Sequence, residues 1–206
     1  MTGKQKRKIK KLMRTLKRVR SEVYIGALAV LLFIIVLFIL FRRPHVKPSS
    51  FSHYQKMKLC EPVELCAQSS GKTYEDYRMI TDPTSNQYRL IHDHLTVDSK
   101  TGFLTDKDGF LAAALGYRFG DIGTRYYFTL DSGIILPLIK ADEKAPKDAS
   151  DGCAVDINGT VIEFVIDAEA ALDYFGTISN GLVLDGNYNN SPYFAGRIVK
   201  MERVKD

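Results

Sequence analysis

Nineteen consecutive uncharged residues, Val23 to Phe41 (VYIGALAVLLFIIVLFILF), constrain this chain more than any other feature. As a helix rising about 1.5 Å per residue they span roughly 28 Å, close to the ~30 Å hydrocarbon thickness of a bilayer. In lipid, a helix satisfies every backbone polar group within one segment. Glu22 flanks the run on one side, Arg42 and Arg43 on the other. A cleaved secretory signal has a shorter apolar stretch and ends at small residues. This run ends in Phe-Arg-Arg-Pro. The expectation is an uncleaved signal-anchor, a transmembrane helix that crosses the membrane once.

Charge divides at that helix. Residues 1–20 carry ten Lys or Arg and no acid. From Pro44 onward, 17 Lys and Arg face 23 Asp and Glu, a net charge of −6. By the positive-inside rule the tail is cytoplasmic and the acidic domain extracytoplasmic. The overall charge of +5 therefore averages two unlike parts and does not point to nucleic acid. The nearest partner of the basic block is anionic lipid. Ile9, Leu12, Met13, Leu16 and Val19 recur in it at helical spacing. The block either lies on the inner leaflet as an amphipathic helix or serves only to orient the anchor.

The layout is a basic tail (1–22), a transmembrane helix (23–41), a linker (42–58), an irregular or helical packing layer (59–100) and a β domain (101–206). In the last part short apolar runs alternate with Gly and Asp turns. Asp131-Ser132-Gly133 between two such runs signals a hairpin. In TVIEFVID, Ile162, Phe164 and Ile166 fall on one face, and Val161, Glu163, Val165 and Asp167 on the other. AEAALDYF (168–175) reads as a short helix closed by Gly176. AGRIVKMERV is a final strand. The fold class expected is mainly β: a small barrel with a short helical insertion rather than a βαβ sheet.

The chain has three cysteines, Cys60, Cys66 and Cys153. An outside location permits disulfides. The short spacing favours a Cys60–Cys66 bridge, which leaves Cys153 over, and a pairing to Cys153 stays open.

The stretch GYRFGDIGTRYYFTLDSGIILPLIKADEK with DINGTVIEFVID resembles the double-psi β-barrel of the three-aspartate (3D) type, a group that includes lytic transglycosylase A. Gly123-Thr124 matches the approach to a strand. Ala141-Asp142 ends the apolar strand, and Glu163 stands at the acid of a following one. KTYEDYRMITDPTSNQYRL and LTDKDGFLAAALG are also similar to membrane-anchored proteins of clostridial type.

The resemblance implies a barrel that works on peptidoglycan in the cell wall. A lytic transglycosylase needs one carboxylic acid, which protonates the glycosidic oxygen and then accepts the proton of the sugar's own C6 hydroxyl. That acid must carry its proton near neutral pH, so its pKa must rise from ~4 toward 6–7. On this reading Asp142 is the acid, Glu163 its partner and Asp167 a third member of the cluster. The plain alternative is strand-end carboxylates paired with Lys140, Lys144 or Arg125. The family's Thr-Gly-Gly run, which shapes the sugar groove, is absent; Glu143-Lys144-Ala145-Pro146 stands there. That departure favours a barrel that binds cell-wall glycan, or docks envelope proteins as an assembly subunit, over one that cleaves glycan.

Other chemistry is weaker. His92-Asp93-His94 lacks a third ligand nearby. Asp106-Lys107-Asp108-Gly109 lacks the closing acid of a calcium loop and reads as a turn. No histidine follows His94, so neither Cys153 nor a serine has an activating base in the barrel portion. No cofactor and no metal is expected. Tyr117, Tyr126, Tyr127, Tyr174, Tyr188 and Tyr193 either stack on sugar rings or fill half-buried strand faces.

Overall fold

The computed structural model describes residues 59–175 and 187–205. They belong to the second of two units of the chain, Lys47–Asp206. The basic tail, the expected span 23–41, the linker 42–58 and the helix stop at Gly176 lie outside the described residues. Among the described residues, no helix is long and apolar enough to cross a membrane.

The described part is mainly β, a mixed sheet with two short helices. The strands are β1 (Cys60–Val63), β2 (Thr73–Asp76), β3 (Thr96–Val97), β4 (Leu104–Thr105), β5 (Leu111–Leu115), β6 (Arg125–Leu130), β7 (Ile135–Glu143), β8 (Glu163–Ile166) and β9 (Ile198–Val204). The helices are α1 (Asn86–His94) and α2 (Ala168–Phe175). One path through the sheet runs β1-β9-β6-β7-β5-β4-β3, and β8 branches from β5 to carry β2. β5 is parallel to β7 and β2 is parallel to β8, while the remaining pairs are antiparallel. Such mixed pairing excludes a simple up-and-down meander, in which all neighbours are antiparallel.

β6 and β7 form the hairpin expected at Asp131–Gly133, and Gly133 takes the left-handed φ of +83° that the turn requires. β5 is buried along its whole length. Its sequence, LAAAL, lets three strands crowd against it. Phe164 and Ile166 of β8 enter the main core with Phe103, Leu111, Phe128, Tyr188 and Phe194. Val165 points to the opposite face, into a second cluster with Ile91, Leu104, Ala112, Ala114 and Ala141. The alternation along this strand therefore separates two apolar clusters. Glu163 sits two residues before Val165 and shares its face.

Residues 59–100 are more than a packing layer. β1 hydrogen-bonds to β9 and β2 to β8, so both are part of the sheet itself. Their sequences, CEPV and TYED, are short and half polar, which hid them from a reading by hydrophobic period.

The expected Cys60–Cys66 bridge is not the one formed. Cys66 bonds Cys153 instead, across 87 residues. The reason is topological. β1 carries Cys60 into pairing with Val204, whereas Cys66 lies beyond the strand, facing the loop that holds Cys153.

Candidate functional site

Four strands set one row of residues. Thr73 of β2 pairs with Glu163 of β8, Glu163 with Ala114 of β5, and Ala114 with Asp142 of β7. The last pairing depends on a bulge. Ala113 lies opposite Lys140, but its successor Ala114 lies opposite Asp142, so β7 has one residue extra. Bulges of this kind re-aim side chains, often beside functional sites. Ala114 ends at Cβ and leaves space between the two acids. A cavity of about 520 Å³ opens there, lined by Thr73, Glu75, Ala114, Asp142 and Glu163. This volume is within the usual range for small-ligand sites.

The loop 144–162 between β7 and β8 forms the opposite wall, with Lys144, Lys147, Asp148, Asp156, Ile157 and Asn158 on the cavity. Several contacts fix that loop. The disulfide ties Cys153 to Cys66. Asp151 accepts hydrogen bonds from the amides of Cys153 (2.8 Å) and Ala154 (3.1 Å). The amide of Ser69 donates to Gly159 (2.8 Å). The backbone of Gly116 passes so close to Gly152 that a Cβ on Gly116 would lie 2.0 Å from the Gly152 carbonyl oxygen.

Charge in the site is arranged in pairs. The Lys144 side chain is 3% exposed, and its ammonium donates to Glu163 Oε2 at 2.9 Å. Lys140 is fully buried. Its Nζ donates to the carbonyls of Gly116 (3.1 Å) and Gly120 (2.6 Å) and to Glu143 (2.6 Å). These bonds fix the end of β7 from which Asp142 projects.

The carboxyl the surroundings push up is Glu75, to about 8. Burial is the main cause; next come the negative charges of Asp142 and Glu163 and a hydrogen bond with the Asp142 carboxyl, opposed by Lys144. Two carboxyls hydrogen-bond only when one is protonated. Glu75 Oε1 is buried and has no hydrogen-bond partner, which disfavours the charged form. Glu75 thus keeps its proton at neutral pH beside Asp142 and Glu163, a recurrent arrangement of acid–base sites.

Asp142 and Glu163 both line this cavity, on either side of Ala114. Asp167 does not. It caps α2, accepting from the amides of Glu169 (3.1 Å) and Ala170 (3.3 Å), and pairs with Arg78 at 3.1 Å. Arg78 also binds Asp76 at 2.6 Å. Glu75 is not legible in the sequence by hydrophobic period, because its strand, TYED, is short and half polar. The available signal was Tyr74, which packs on the core and turns its neighbour Glu75 to the other face. Tyr126, Tyr127 and Tyr188 are buried and offer no sugar platform. Tyr117 is 45% exposed and lies against Gly152 behind the loop. His92 stacks on Tyr88 with ring centres 3.9 Å apart. Among the described residues, no group of three or more His, Cys, Asp or Glu is arranged to hold a metal.

No protein-family model, curated protein or solved structure matches the chain, so the reading of this cavity rests on its own residues.

Proposed function

We propose that this chain is a single-pass, membrane-anchored cell-envelope protein. Its extracytoplasmic domain is a double-psi-like barrel that cleaves cell-wall glycan by the lytic transglycosylase route. The observation that carries the catalytic part is the Glu75 carboxyl, its Oε1 buried, gathered with Asp142 and Glu163 on one open cavity that raises its pKa. Glu75 joins Asp142 and Glu163, the two acids the three-aspartate resemblance points to, on one cavity. The Cys66–Cys153 disulfide supports an oxidising, extracytoplasmic location. The uncharged run 23–41 behind a strongly basic tail supports the anchor and its orientation.

On this reading Glu75, rather than Asp142, gives its proton to the glycosidic oxygen as the C1–O bond breaks. The C6 hydroxyl oxygen of the same sugar then bonds to C1. Its proton passes to the Glu75 carboxylate, which restores the acid. No water is consumed, and the product ends in an anhydro-sugar. Asp142 holds the Glu75 proton in place before transfer and faces the positive charge that develops at C1. The test is incubation of the protein with purified peptidoglycan and analysis of the soluble products for anhydro-sugar ends. Orientation is tested separately by protease treatment of intact cells; protection of residues 59–206 would contradict it.

One observation favours a second reading, a barrel that binds glycan or docks an envelope protein without cleaving. Lys144 stands in the segment where the resembling enzymes carry Thr-Gly-Gly, and it is locked to Glu163. Retained binding to peptidoglycan with no soluble product would select that reading.

A further inference from the structure

The cavity holds more charge than one-acid cleavage uses. Besides Glu75 and Asp142 it contains Glu163 and Lys144, and Lys144 is the buried cation among its lining residues. Its place is set at both ends. The Lys144 amide donates to the Leu115 carbonyl at 3.1 Å, which pins the backbone to the end of β5. Its Nζ meets Glu163 of β8 at 2.9 Å. The side chain thus reaches from the end of β7 to β8, the strand on the other side of β5. Buried ion pairs are poor sources of stability, because desolvation offsets most of their attraction. Stability therefore does not explain why a lysine is buried among these acids.

We propose that Lys144 is a positioning residue: fixed on Glu163 in the cavity that Glu75 and Asp142 also line, its ammonium cancels one carboxylate charge and so sets how readily Glu75 gives up its proton. The charged groups that line the cavity beside Glu75 are Asp142 from β7, Glu163 from β8 and Lys144 from the following loop. Farther round the cavity, Glu143 is neutralised by Lys140, and Lys147, Asp148 and Asp156 are exposed to solvent, which screens them. The two carboxylates raise Glu75 and Lys144 lowers it. Without the ammonium Glu75 would hold its proton more tightly, and without Glu163 less tightly. The proposal rests on the reading of Glu75 as proton donor, but the charge balance is measurable without any substrate.

The experiment is a titration of the full-length chain in detergent with ¹³C-labelled glutamate carboxyls, using E75Q to identify the Glu75 signal. The expected result is a rise of about one pH unit in K144M and a fall of similar size in E163Q. The double variant K144M/E163Q returns close to the starting value, and K144R, which keeps the charge, stays there. A purely structural role for Lys144 predicts no such opposed pair of shifts. If K144M does not fold, E163Q and the double variant carry the test. A Glu75 titration unmoved in E163Q, or displaced in the double variant as far as in either single one, overturns the proposal. Opposed shifts without glycan cleavage would leave the charge balance standing and end the enzymatic reading. Cleavage with unmoved titration would do the reverse.

Discussion

Asp142 and Glu163 flank the same residue, Ala114, from opposite sides of β5. The gap between them exists because Ala114 ends at Cβ and because the β7 bulge brings Asp142 into that row. Ala114→Leu is expected to fill the gap. Overpacking at this buried position costs about 1–3 kcal/mol. The protein should still melt cooperatively while glycan turnover falls by at least roughly tenfold from lost access. Unchanged turnover in a folded Ala114→Leu protein would place the chemistry elsewhere.

The elevated Glu75 makes stability depend on pH with a definite sign. Its folded value lies near 8, above the ordinary 4.5. Between those values the folded state holds a proton that the unfolded chain has released. Glu75's contribution is therefore complete below 4.5 and is lost as pH rises through 8. The slope reaches at most about 1.4 kcal/mol per pH unit. Denaturation midpoints should fall across this window in the wild type and fall less steeply in E75Q. Parallel curves for the two proteins would contradict the assignment.

The disulfide closes a long loop and ties the cavity wall to the segment leading into β2. Cys66 and Cys153 are 87 residues apart. Loop-closure entropy alone gives about 3–5 kcal/mol for such a link. Cys66→Ala is expected to lower stability by this order and to weaken glycan binding before the domain unfolds. Cys60→Ala should do neither. Chemical denaturation with parallel binding assays distinguishes the two.

Asp167 belongs to a different network. Asp167→Ala removes the α2 cap and one Arg78 contact, and the cap is typically worth about 1 kcal/mol. The melting temperature should drop by a few degrees, at about 2–4 °C per kcal/mol. Turnover per folded molecule should stay as it was, since Asp167 lies outside the cavity.

Local features of the chain were readable where local physics decides them. The Asp131–Gly133 turn and the AEAALDYF helix announce themselves through turn chemistry and helical period. The alternation of Ile162, Phe164 and Ile166 against Glu163 and Val165 located one acid of the site. Asp167 is legible as a helix cap rather than a strand acid, since it stands just before α2. The rest depends on long-range pairing. Glu75 matters because β2 docks parallel to β8, and nothing within TYED signals that docking. The Cys66–Cys153 link and the β7 bulge are likewise set by which strands meet.

The central claim is that Glu75 delivers the proton. The direct measurement is the rate of anhydro-sugar release from peptidoglycan as a function of pH, for wild type, E75Q and D142N. The account predicts release that declines as pH rises through about 8, where Glu75 loses its proton. It predicts a loss of at least about a hundredfold in E75Q, whose amide has no acidic proton to give. D142N should retain measurable release with the decline moved to lower pH, because one neighbouring negative charge is gone. Release by E75Q at the wild-type rate, or no release by the wild type at any pH, would contradict it.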